Sequence, residues 1–213
     1  MMGRAMNGAS TPAAQTPAAQ TPAASVPALW PDPDLLKAAR VHEVTGGARR
    51  PFALALAGRL GCPVIWIQDA RSRALLYAPG IAALMDPAQI ILTRPTGAIP
   101  MLQAAEEALR SGAAALVVVE LAEAPDLTQS RRLQLAAGTG GGRGLCLVPE
   151  GTLRTNAAET RWCCQPVPDT RAGLGSQHWE IVKNKRGRLG HWRVGWDAAR
   201  GGFVQTCPVR ESV

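Results

Sequence analysis

Groups that commonly carry chemistry are scarce in this chain of 213 residues. It has five cysteines (Cys62, Cys146, Cys163, Cys164 and Cys207) and three histidines (His42, His178 and His191). No two cysteines form a CxxC pair and the histidines are scattered. The four converging ligands of a zinc site are therefore not offered at any recognisable spacing. Vicinal Cys163 and Cys164 are poorly placed for an unstrained disulfide and read as part of a half-buried strand. An odd thiol count without a secretory signal fits reduced cysteines in a cytoplasm. The opening MMGRAMNGAS lacks an apolar signal core. No run of about 18 apolar residues occurs, so no membrane span is expected. No serine or cysteine can be tied to His178 or His191 as nucleophile and base. Acids are also few: 16 Asp/Glu stand against 23 Lys/Arg, for a net charge of +7 and a pI near 9.8. That balance favours an anionic partner such as nucleic acid, a membrane surface or an acidic protein face. An Arg-rich solvated surface with no such partner gives the same balance.

What is present is 46% hydrophobic residues, enough for a single domain with a sizeable core. Residues 11–25 repeat TPAAQ, TPAAQ, TPAAS. Regular proline and the lack of an apolar stripe leave too little burial to offset ordering entropy. Residues 1–30 therefore read as a disordered tail, 31–150 as the core, and 151–213 as a C-terminal strand and hairpin extension of the same domain, ending in a flexible tail. Within the core, Val41–Val44, Pro63–Gln68, Ile90–Thr93, Leu116–Val119 and Leu145–Val148 read as strands. Helices are expected over 51–60, with Pro51 at the first position, over 101–110, and from a cap at Asp126 or Thr128 to Ala137. A further helical turn starts at Tyr77–Gly80. Continuous apolar strands alternating with helices predict an α/β fold, a mostly parallel sheet flanked by helices. The glycine run Gly138–Gly144 follows a helix and opens a strand, the reverse of a phosphate loop, and reads as a flexible connection.

Beyond Pro149 helical periodicity is lost, and residues 154–213 carry ten Lys/Arg against five Asp/Glu. Trp179 and Ile181, then Trp192, Val194 and Trp196, alternate with polar positions around KRGRLG. This pattern predicts a basic β-hairpin. Lys183, Lys185, Arg186, Arg188 and Arg193 fall in an eleven-residue stretch without an acid. With Asn184, Trp192 and Trp196 they form the candidate contact for DNA or a protein partner. The competing reading packs the tryptophans onto the sheet and leaves the charges solvated.

The order of these elements resembles the RecA core over roughly residues 34–200. Val41–Ala53 falls on strand, phosphate loop and helix start; Trp66–Asp69 falls on the acidic catalytic turn. Leu116–Glu120, Leu145–Val148 and Ile181–Lys185 fall on later strands. More closely, the chain resembles the ImuA family of bacterial damage-inducible mutagenesis proteins. The residues that carry this are RVHEVTGGARR (Arg40–Arg50), DLTQSRRLQLAA (Asp126–Ala137), AAETRW (Ala157–Trp162) and KNKRGRLGHW (Lys183–Trp192).

A working phosphate loop reads G-x-x-x-x-G-K-[ST], with backbone N–H groups, a lysine and a hydroxyl around phosphate and magnesium. Counting from Gly46 and Gly47, those last three positions hold Pro51, Phe52 and Ala53. Pro51 has no N–H, Phe52 no charge and Ala53 no metal ligand. The loop is degenerate, and no cofactor, metal or catalytic residue is expected. Arg49 and Arg50 read as solvated loop arginines, although the loop could present them to an anion. Glu120 reads as a strand-end acid paired with a nearby arginine, and Asp69 as structural or interfacial.

The resemblance implies a cytoplasmic, nucleoid-associated, non-enzymatic accessory protein of the SOS response, DNA repair and translesion synthesis. Its implied partners are an ImuB-type inactive Y-family polymerase paralogue and an error-prone DNA polymerase alpha-type subunit, with RecA and DNA as further candidates. By the same resemblance, Lys183 and Lys185 would reach a partner's ATP site. Two other readings compete. One is a SulA-like cell-division inhibitor acting on FtsZ. The other is an ATP-dependent recombinase or motor, which the Gly46–Ala53 stretch opposes.

Overall fold

The computed structural model describes residues 29–152, 154–168 and 175–206. The expected tail, apart from Leu29 and Trp30, and the expected flexible end beyond Thr206 lie outside them. Ten strands form one sheet. In chain order they are β1 (Leu29–Trp30), β2 (Val41–Thr45), β3 (Val64–Ile67), β4 (Ile90–Thr93), β5 (Leu116–Glu120), β6 (Arg143–Leu147), β7 (Thr160–Val167), β8 (Ser176–Asn184), β9 (Gly190–Asp197) and β10 (Gly202–Gln205). Their spatial order is β1-β10-β9-β8-β7-β2-β6-β5-β3-β4. The six strands from β7 to β4 run parallel; β8, β9, β10 and β1 continue the sheet antiparallel. Leu29 and Trp30, which the sequence places in the tail, pair with β10.

Helices cover the parallel half on both faces, which is why its strands are apolar without a break. On β5, Leu116 and Val118 face one cluster and Val117 and Val119 the other. The first cluster holds helix α1 (Arg49–Leu60). The second holds α3 (Ala98–Ser111) and α4 (Leu127–Gly140). A single turn, α2 (Ala78–Ile81), lies in the β3–β4 crossover.

Local chemistry fixes the helix ends. Asp126 and Gln129 form a reciprocal capping box at α4, with bonds of 2.8 and 3.0 Å. Gly61, Gly112 and Gly141 close α1, α3 and α4 in the left-handed conformation. On α3 the buried residues Met101, Ala105 and Leu109 recur every fourth position. Helix α1 is different: Phe52 through Ala57 are all buried, because the sheet and the loop around Leu84 enclose it.

Two sequence expectations change here. Helix α1 begins at Arg49, so Pro51 is its third residue rather than its first. That costs nothing, since the first four N–H groups of a helix have no partner within it. Gly138–Gly144 is not a flexible connection: it is the end of α4, a left-handed cap and the start of β6. A Cβ on Gly140 would collide with the Leu109 carbonyl, so a side chain there would push α4 off α3.

In the antiparallel half, every second residue of each strand packs toward α1. Trp162, Trp179, Trp192 and Phe203 form an aromatic layer with Trp30 and Phe52, ring centroids lying 4.7 to 5.6 Å apart. Such tilted, stacked and edge-on pairs contribute about 0.5–1.5 kcal/mol each beyond their burial.

Candidate functional site

Strand β2 runs into Gly46-Gly47-Ala48 and then α1, so the strand–turn–helix layout of a phosphate loop is present. Its interior is closed. Strand β7 lies beside β2, and the loop folds onto it. Ala48 N–H donates to the Cys164 carbonyl (2.9 Å), Gly47 N–H to Gln165 Oε1 (3.2 Å) and Arg49 N–H to the Gly46 carbonyl (3.3 Å). Donors that a phosphate would need are thus taken by protein acceptors. Gly46 sits at φ 98°, and a Cβ there would overlap the Cys164 carbonyl oxygen, so glycine is needed for close approach of the two backbones.

The residues at the lost ligand positions are core residues. Phe52 and Ala53 are both fully buried. The Phe52 ring packs 5.0 Å from Trp162 and 4.9 Å from Trp179. The two arginines expected in solvent lie in the first turn of α1 and bond their own chain. Arg49 Nη1 donates to the Gly46 carbonyl (3.0 Å), and Arg50 Nη2 reaches Glu120 at 2.5 Å and the Ala74 carbonyl at 3.2 Å. Glu120 also accepts from Trp66 Nε1 at 2.8 Å. It is the arginine-paired strand-end acid the sequence suggests. Asp69 is bound by Arg71 and by the Gly97 N–H at the start of α3; the hydrogen bonds from Arg71 hold its carboxyl far below the usual range. Among the described residues, no group of three or more His, Cys, Asp or Glu is arranged to hold a metal. No helix among them is long and apolar enough to cross a membrane.

At the opposite end of β7 lies the basic segment. Strands β8 and β9 pair antiparallel, joined by Lys185–Leu189, and Asn184 lies against Thr160 at the start of β7. The closed loop meets β7 at Cys164 and Gln165, four and five residues from Thr160, or about 13–17 Å along the strand. The basic turn therefore lies well away from this chain's own closed loop. Its residues divide into two groups. Lys183 Nζ donates to the Asn156 carbonyl (3.0 Å) and Lys185 Nζ to the Ala157 carbonyl (2.7 Å). Burial, then Arg161 and Lys185, pull the Lys183 pKa down. Asn184 ties the turn by accepting from Arg186 N–H (3.2 Å) and donating to the Arg188 carbonyl (3.1 Å). Trp192 is buried between Trp30 and Trp162, so its ring face is not offered to a ligand. Trp196 is half-buried against Phe203. Lys185, Arg186, Arg188 and Arg193 are exposed and Lys183 is half-buried.

No protein-family model matches the chain. It is 35% identical over 175 residues to Protein ImuA of Caulobacter vibrioides, in each of two strains, covering 72% of this chain and 70% of that protein. The chain belongs to the ImuA family. The four segments that carry the family resemblance in sequence meet in a polar knot around β2 and β7, with Glu43 on the α4 face of the sheet and His42 on the α1 face. His42 and Glu43 of β2 face Thr160 and Arg161 of β7: His42 Nδ1 lies 2.7 Å from Thr160 Oγ1, and Arg161 lies 2.8 Å from Glu43. Asn156 donates to Glu43 as well. From α4, Gln134 exchanges bonds with the backbone of Val41 (3.2 and 2.9 Å) and donates to the Ala157 carbonyl (3.0 Å). Ser130 Oγ accepts from Ala157 N–H at 2.9 Å. From the hairpin come Lys183, Lys185 and Arg186, the last 3.8 Å from buried Glu159.

Sequence reasoning missed this knot. Its signal was a polar pair, His42 and Glu43, inside a strand buried along its whole length. Buried polar groups of that kind need partners.

Proposed function

We propose that this ImuA-family chain is a non-catalytic accessory protein of damage-induced, error-prone DNA synthesis. It acts as an adaptor or regulator for an ImuB-type inactive Y-family polymerase paralogue and an error-prone DNA polymerase alpha-type subunit. The observation that carries the reading is the closed loop after β2. Catalysis by phosphoryl transfer rests on positioning and charge stabilisation around phosphate. Here the donors are spent on β7 and the lysine position is a core phenylalanine. The strand order from β4 to β7, with α1 after the first parallel strand, supports a RecA-like core that has kept its architecture without that chemistry.

The contact surface of this reading is the basic turn. Lys183, Asn184 and Lys185 shape it from within, and Trp192 and Trp196 anchor its strand to the aromatic layer. Arg186, Arg188 and Arg193 present the charge. The test reverses only these three to Glu, because altering Lys183 or Lys185 would also loosen the start of β7. The variant is expected to keep its melting temperature, to lose capture of the polymerase paralogue at least tenfold, and to fail to complement damage-induced mutagenesis. Retention of both capture and mutagenesis refutes the interface. Binding of labelled single-stranded DNA across a salt series, with and without ATP, shows whether the same arginines also meet phosphate. A salt-sensitive, ATP-independent association would mark direct contact.

A further inference from the structure

Strand β4 ends the sheet, and among the described residues nothing pairs with its outer edge. Its sequence, IILT, contains none of the lysine, proline or bulge devices that protect an open edge. Ile91 is 59% and Leu92 44% exposed, and being consecutive they lie on opposite faces of the strand. The loop after β3 is equally apolar: Leu75 and Tyr77 are 65% and 71% exposed. Four of the nine large hydrophobic residues exposed among the described residues thus belong to the stretch of chain from β3 to β4.

We propose that β4 is a docking edge for an extended segment of another protein, one with apolar side chains in alternation and acidic residues at the end that meets the C-terminus of β4. Main-chain pairing with β4 supplies affinity, and Ile91 and Leu92 offer apolar contact to alternate side chains on the two faces. The acidic end follows from the charge at the C-terminal end of β4. Arg71 is neutralised by Asp69, but Arg94 is anchored only to the carbonyls of Asp69, Ala70 and Ser72, and Arg73 stands exposed. A second copy is the poorer occupant, because a four-residue strand paired with itself buries far less than the roughly 800 Å² per partner of a stable dimer. Residues 1–28 of this chain fit no better: they carry no acid and a proline in every repeat. The inference stands apart from the reading of the basic turn. β4 lies six strand positions from β8, roughly 29 Å across the sheet, so the two surfaces could hold two partners at once.

The test pans a random dodecapeptide phage library against the immobilised full chain and measures the enriched peptides by fluorescence anisotropy. Peptides with alternating β-branched or aromatic residues and Asp/Glu at one end are expected. The charge-neutral double substitution Ile91→Asn/Leu92→Asn should weaken them at least tenfold, and Arg73→Glu several-fold. All three sites are exposed, and unchanged thermal melts verify folding. Failure to enrich such peptides overturns the proposal, as does binding that survives the double substitution. Light scattering that shows a dimer abolished by the same substitution overturns it in favour of a second copy.

Discussion

Replacing Phe52 by lysine tests whether the phosphate-loop position is lost by three residues or by the whole fold. The substitution restores the charge that phosphate would meet, yet Phe52 is fully buried between Trp162 and Trp179. Deleting a buried phenylalanine costs about 3–5 kcal/mol. The two ring contacts place this site toward the upper end of that range. Burying an ammonium without a partner adds to the loss. Against a total stability of about 5–15 kcal/mol, Phe52→Lys is expected to shift the urea midpoint steeply or abolish folding. Phe52→Leu, which keeps most of the apolar volume, should cost less than half as much. The triple variant Pro51→Gly/Phe52→Lys/Ala53→Thr supplies all the missing chemistry and should still show no Mg-ATP binding by calorimetry, because β7 occupies the donors of Gly47 and Ala48. A triple variant that unfolds cooperatively and binds Mg-ATP at micromolar affinity would refute the reasoning.

Two further outcomes follow from the polar knot. Burial lowers the His42 pKa from 6.5 to about 4. The neutral ring is therefore the folded form, and between these values the unfolded chain binds the extra proton. Its contribution is present above pH 6.5 and is lost as pH falls toward 4, roughly 2–3 kcal/mol by pH 4.5. Comparing denaturation of the wild type and His42→Gln at pH 7.5 and 4.5 isolates that slope; equal slopes would show that His42 does not carry it. Arg161→Leu strands the buried Glu43 carboxylate and should cost about 3–5 kcal/mol, whereas Arg161→Leu/Glu43→Leu should recover most of it. Strict additivity of the two single changes would mean the pair is not coupled.

Much of the parallel half was legible because its signals are local. β4 matches its apolar run residue for residue, and Asp126 caps α4 through a side chain only three positions from its partner. Segments whose partners lie far along the chain were not legible. The glycine run after Ala137 looks like a linker until α3 lies against it. Trp192 looks available to a ligand until Trp30 and Trp162 enclose it. The lysines of the basic turn look like free charge, yet their ammonium groups close on backbone carbonyls 27 and 28 positions away.

The sequence by itself determined that this site lacks the chemistry for phosphate: no lysine, no hydroxyl, and a proline where an N–H is needed. Those are properties of single side chains and need no fold to be read. Only the tertiary structure decided that the space is also gone. The residues that close it, Cys164 and Gln165, sit on a strand more than a hundred positions downstream, and their contact with Gly46, Gly47 and Ala48 exists only because β7 pairs parallel to β2. Pairing between distant strands is set by burial of the aromatic layer they share with α1, a sum over many contacts that no local motif encodes.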